Sequence, residues 1–96
     1  MTSITLQKFE NDVLTAAGPL FVLFGQSSDP ETGRIAKVLA EADVPWLFCD
    51  IDSSDGAQVA MRATVRQSPV VIRYSNGFAS ATYEPAGILS PGVFNA

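Results

Sequence analysis

The residue pattern predicts an α/β domain in which a central mixed β-sheet is flanked by helices. Three observations carry this expectation. Leu20–Phe24 is an unbroken apolar run, which suits a strand covered on both faces. A strong helix start and a second strand follow it, and a strand, helix, strand series of this length makes a right-handed parallel crossover. Near the end of the chain, Val70–Tyr74 precedes Asn76-Gly77, the pair that favours a tight hairpin, so a last strand returns antiparallel.

In chain order, a short strand is expected at Ser3–Leu6. Leu6, Phe9, Val13, Leu14 and Ala17 recur at helical spacing and predict a helix over Lys8–Ala17, stopped by Gly18-Pro19. Ser27-Ser28-Asp29-Pro30-Glu31 is the next helix start. Ser28 and Glu31 have capping-box spacing, Pro30 fits the first turn, and the acids stand where the helix dipole favours them. Ile35, Val38, Leu39 and Ala42 give this helix one apolar face, and it ends before Val44-Pro45. Trp46–Ile51 reads as a strand, and Asp52–Gly56 as a loop that caps a short helix bearing Val59, Ala60 and Ala63. Ser68–Tyr74 is a strand with Pro69 at its start, where a missing N–H matters least. Ala79–Tyr83 completes the sheet.

Of the 96 residues, 47% are apolar and 17% charged, the balance of one domain over residues 1–96. A chain of this size buries roughly 60–65% of its unfolded surface, enough to fold without disulfides or a metal staple. Six Lys plus Arg against ten Asp plus Glu leave a net charge of −4, which argues against nucleic acid and anionic membrane surfaces as partners. Leu20–Phe24 is far short of the ~20 apolar residues of a membrane span. No basic stretch followed by an apolar one opens the sequence, and Cys49 is a lone thiol. Both features point to the cytoplasm.

Histidine is absent, which removes imidazole metal ligands and every His-based triad. Asp50, Asp52, Asp55 and Gly56 hint at a calcium loop, but the glycine falls one position late and no Glu closes the loop, so neither metal nor other cofactor is expected. Cys49 lies inside a buried strand and reads as a small core hydrophobe. Ser27, Ser28 and Ser68 have no imidazole to activate them. Arg62, Arg66 and Arg73 are either solvated or gathered around a carboxylate ligand such as glutathione.

Beyond these local readings, the order of elements resembles the thioredoxin family over nearly the whole chain. Ile4-Thr5-Leu6 with Phe9, Val13-Leu14 and Gly18 is similar to that family's opening strand and helix, and Phe21–Phe24 to its central strand. Asp29-Pro30-Glu31-Thr32 falls where thioredoxins carry Cys-Gly-Pro-Cys and glutaredoxins Cys-Pro-Tyr-Cys. Asp50-Ile51-Asp52, Ser68-Pro69-Val70-Val71-Ile72 and Asn76-Gly77 resemble its third strand, cis-proline and hairpin. Arg66–Ile72 is similar to the glutaredoxin-like redoxins that reduce ribonucleotide reductase. Leu23, Phe48 and Ser28 stand where the family has a buried Asp, a buried Lys and the Trp before its first Cys. The chain also ends soon after Leu89-Ser90-Pro91-Gly92, so the resemblance implies a truncated C-terminal helix and a sheet face left open or covered otherwise.

Asp29 and Thr32 cannot attack or resolve a disulfide, so the motif has no thiol chemistry. The resemblance implies a thioredoxin-like protein that is redox-inactive and not an enzyme. It would bind a protein or peptide through the helix N-terminus (Ser28, Asp29, Pro30, Glu31 and Thr32) and a cis-proline surface (Ser68 and Pro69). Two other readings stand beside it. One is residual glutathione-linked or single-thiol chemistry through Cys49. The other is a structural role in a homodimer or larger assembly. An ordinary acidic helix cap accounts for Asp29 and Glu31 as well.

Overall fold

Strand β1 (Leu20–Gly25) lies inside the sheet of the computed structural model, which describes residues 2–95. Met1 and Ala96, the end positions of the predicted domain, lie outside the described residues. With β2 (Trp46–Asp50), β3 (Val70–Ser75) and β4 (Phe78–Tyr83), it forms a four-stranded sheet in the order β2-β1-β3-β4. β1 and β2 are parallel, with Leu23 beside Phe48. β1 with β3, and β3 with β4, are antiparallel. The sheet is therefore mixed. Residues Phe21–Gly25 are all buried, as a strand covered on both faces requires.

Alternation along the strands divides the core in two. One half holds Val22, Phe24, Val70, Ile72 and Tyr74 beneath Phe9, Val13 and Val59. The other holds Phe21, Leu23, Phe48 and Val71 against Ile35 and Leu39 of α2 (Pro30–Ala42), together with Ile88 and Phe94. Each side chain of this size stabilises the fold by about 1.5–3 kcal/mol when fully buried.

The first helix differs from its predicted bounds of Lys8–Ala17. Thr5 accepts a hydrogen bond from the Lys8 N–H and starts α1 (Leu6–Lys8) early. The backbone then widens into a π-helical turn, Phe9–Val13, closed by the Leu14 N–H on the Phe9 carbonyl at 3.1 Å. The Thr15 hydroxyl takes the Asn11 carbonyl and ends the run. Ala17 is exposed and lies outside the helix. The predicted strand at Ser3–Leu6 is reduced to a single bridge, Ser3 beside Phe48, because α1 claims Leu6.

At α2 the cap is Asp29 and not Ser28. The Asp29 carboxylate accepts from the Glu31 N–H at 2.9 Å, which leaves the Ser28–Glu31 capping box unmade. β2 stops at Asp50, and Ile51, predicted as strand, enters a turn. Ser53 caps α3 (Ser54–Arg62), which ends with the Thr64 N–H on the Met61 carbonyl and the Val65 N–H on that of Ala60. This pattern places Thr64 at a left-handed φ of 60°. The β3–β4 hairpin turns through Asn76 and Gly77, with φ of 54° and 82°. Within it the register shifts between Arg73 and Tyr74, so Ser80 is an extra residue on β4 and its hydroxyl donates to the Arg73 carbonyl at 3.1 Å.

After β4 no α-helix follows among the described residues. Two 3₁₀ turns, Pro85–Gly87 and Pro91–Asn95, carry the chain back over the second core. Ile88 is fully buried, and Phe94 packs edge-on against Phe21 at 5.3 Å and Tyr83 at 5.1 Å. The sheet face expected to lose its helical cover is therefore partly closed by this segment.

Candidate functional site

The first turn of α2 and the start of β3 meet at Gly25, the last residue of β1. A Cβ built on Gly25 would lie 2.5 Å from the Thr32 hydroxyl oxygen and 3.3 Å from Cβ of Pro69. Only hydrogen fits there, and its absence of bulk lets the two segments converge. The Ser68–Pro69 peptide bond is cis. Thr32 and Pro69 are both buried, so they form the floor of this junction rather than its contact surface. Ser28, Pro30 and Ser68 are exposed, and Asp29 and Glu31 are half-buried.

Asp29, Glu31, Asp50 and Asp52 at this end of the sheet each have a local partner. The Asp29 N–H donates to the Gln26 carbonyl while its side chain caps α2. Asp50 accepts from the Ser27 hydroxyl at 3.4 Å and from the Asp52 N–H at 3.0 Å, and the Gln26 amide donates to Asp52 at 3.3 Å. These bonds tie the β1–α2 loop to the β2–α3 loop. Glu31 pairs with Arg34, whose guanidinium also donates to the carbonyls of Ile88 and, at 3.0 Å, Pro85. Arg34 thus fastens the N-terminal turn of α2 to the final segment. Its spacing from Glu31 is a sequence signal for the ion pair, but the long-range carbonyl partners left no local trace.

One polar atom of the junction has no partner. The Thr32 hydroxyl is fully buried and has no hydrogen-bond partner among the described residues; a buried hydroxyl left unpaired costs about 1–3 kcal/mol.

The remaining candidates are dispersed. Cys49 is fully buried, its thiol 3.4 Å from the Gly56 carbonyl. Burial, and secondarily the charge of Asp50, push its pKa up to about 12. At neutral pH it is a protonated thiol without access to a disulfide, which matches the core role read from sequence. The three arginines do not form one cluster. Arg62 lies 3.8 Å from Glu10, Arg66 lines a groove beside Pro69, and Arg73 follows Ile72 on β3 and so faces the opposite side of the sheet. Among the described residues, no group of three or more His, Cys, Asp or Glu side chains is placed to hold a metal ion. No helix among them is long and apolar enough to cross a membrane.

No protein-family model and no curated protein matches the chain.

Proposed function

We propose that this chain is a redox-inactive protein of thioredoxin-like architecture that binds an extended segment of a protein partner across the N-terminus of α2 and the Ser68–Pro69 turn. The observation that carries this reading is the junction at Gly25. Thr32 and Pro69, distant in sequence, pack against one glycine, so the exposed Ser28, Pro30 and Ser68 border the same small area. The element order, the parallel β1–β2 crossover and the β3–β4 hairpin support the architecture. With oxygen side chains at Asp29 and Thr32, the site has no sulfur with which to exchange a disulfide.

The buried, fully protonated Cys49 gives the single-thiol reading no accessible nucleophile. Photo-crosslinking tests the binding reading. A benzoylphenylalanine at Pro30 or at Ser68 should capture the same partner from a lysate, and one at the exposed Glu41 should not. Asp29→Lys should remove both crosslinks. Capture that is equal at all three positions would reject the surface. Pro69 is unsuited as the test position because it is buried.

A further inference from the structure

Residues 84–95 cross the second core without joining the sheet or an α-helix. The Gly87, Ile88 and Val93 N–H groups donate to the carbonyls of Glu84, Pro85 and Ser90, so these bonds stay inside the segment. Among the described residues, no backbone hydrogen bond ties the segment to β1, β2, β3 or α2. Ile88 and Phe94 are buried, and the other residues of the segment are half-buried or exposed. A segment held by two buried side chains, with no shared backbone ladder, opens more easily than the sheet beneath it.

Side-chain hydrogen bonds fasten the segment to α2 at both ends. At the far end the Asn95 amide donates to the Ala42 carbonyl at 3.3 Å. At the near end the Arg34 guanidinium donates to the carbonyls of Ile88 and, at 3.0 Å, Pro85. The same guanidinium donates through Nε to Glu31 Oε1 at 2.6 Å, and its Nη2 meets that oxygen as well. A guanidinium is a rigid planar fork. With Nε and Nη2 held by Glu31 its plane is set, and Nη1 is left turned to the Ile88 carbonyl. One acid of α2 thus orients the donors that hold the final segment.

We propose that residues 84–95 are a strap that opens while the sheet stays folded, and that Glu31, acting through Arg34, sets how firmly the strap is held. Arg34 is the latch and Glu31 its positioning residue. When the Glu31 carboxylate is drawn to another cation, the guanidinium is free to turn, and the bonds to Pro85 and Ile88 weaken together. Opening uncovers Phe21 and Tyr83, against which Phe94 packs. That a docking partner supplies such a cation rests on the binding proposed above, whereas the coupling of Glu31 to the strap does not.

The test is native-state hydrogen exchange of the full ¹⁵N-labelled chain with no partner added, comparing the amides of Gly87, Ile88 and Val93 with those of Val22 and Ile72 in the sheet. In the parent the strap amides should be protected, yet exchange faster than the sheet amides and with a weaker dependence on urea. Glu31→Gln should speed them about threefold and Arg34→Met about tenfold, with the sheet amides unchanged. Glu41→Gln, which removes an exposed acid from the same helix, should change neither set. If Arg34→Met misfolds, Glu31→Gln carries the test. Strap amides that are unprotected in the parent, that exchange only together with the sheet, that keep the parent rate in Glu31→Gln, or that respond equally to Glu41→Gln would each overturn the proposal. Failure to crosslink a partner at Pro30 and Ser68 would reject the binding reading and leave these rates as expected.

Discussion

Thr32 sits at the third position of α2 with its hydroxyl enclosed between Gly25 and the helix, where no protein group among the described residues satisfies it. Replacing that hydroxyl by a methyl group keeps the shape and removes the unpaired dipole. Thr32→Val should therefore stabilise the chain by about 1 kcal/mol, read as a raised urea midpoint with an unchanged slope. A lowered midpoint would mean that the hydroxyl has a partner in solution. Cys49 sets a different expectation. Its proton leaves the unfolded chain near the ordinary value of 9.0 and the folded chain only near 12. Above pH 9 the unfolded state thus holds fewer protons, and stability falls as pH rises through that window. Tyr74, raised by burial and then by Cys49 from 10.0 to about 12, acts in the same direction. Cys49→Ala should lose stability less steeply than the parent between pH 9 and 11 in urea titrations. Equal slopes would contradict the assignment.

Among the elements, the start of α2 is the one whose geometry reaches furthest. Its cap, Asp29, and Thr32 three residues on belong to positions whose side chains approach each other over the first turn. Asp29→Cys with Thr32→Cys should form an intramolecular disulfide in air, seen as the loss of two titratable thiols in denaturant. Three titratable thiols, that of Cys49 included, would count against the proposed architecture. Strands β1 to β4 and the hairpin were legible in the sequence because unbroken apolar runs and Asn76-Gly77 are local signals, whereas the strand expected at Ser3–Leu6 is a single bridge. The cap of α2 was misplaced by one residue since Ser28 and Asp29 both suit the role, and the choice rests on backbone geometry. The π-helical turn at Phe9–Val13 was not legible. Leu6, Phe9, Val13 and Leu14 satisfy a 3.6-residue period, which carries no trace of the widening or of the long-range contact of Phe9 with Tyr74, their rings 5.6 Å apart and nearly perpendicular. At the candidate site, the acids and the proline were legible. The burial of Thr32 and Pro69 beneath them was not, because it depends on Gly25 from another element.

At the scale of the molecule, the second core is completed by chain that forms only 3₁₀ turns. Ile88 is as deeply buried as Leu39, although it belongs to no long element. Ile88→Ala should cost about 2–5 kcal/mol, in the range of a helix-core truncation, measured by urea unfolding. A loss below about 1 kcal/mol would show that the segment rests on the sheet without supporting it. The sheet has one further property as a whole. β4 is an outer strand, and Phe78–Tyr83 contains neither charge nor proline, the composition by which neighbouring molecules add strand upon strand. Ser80 interrupts that rim where its extra residue kinks the backbone, so the ladder an incoming chain would copy is broken near its middle. The irregularity in the hairpin thus guards against filament growth, a task that other sheets assign to a lysine.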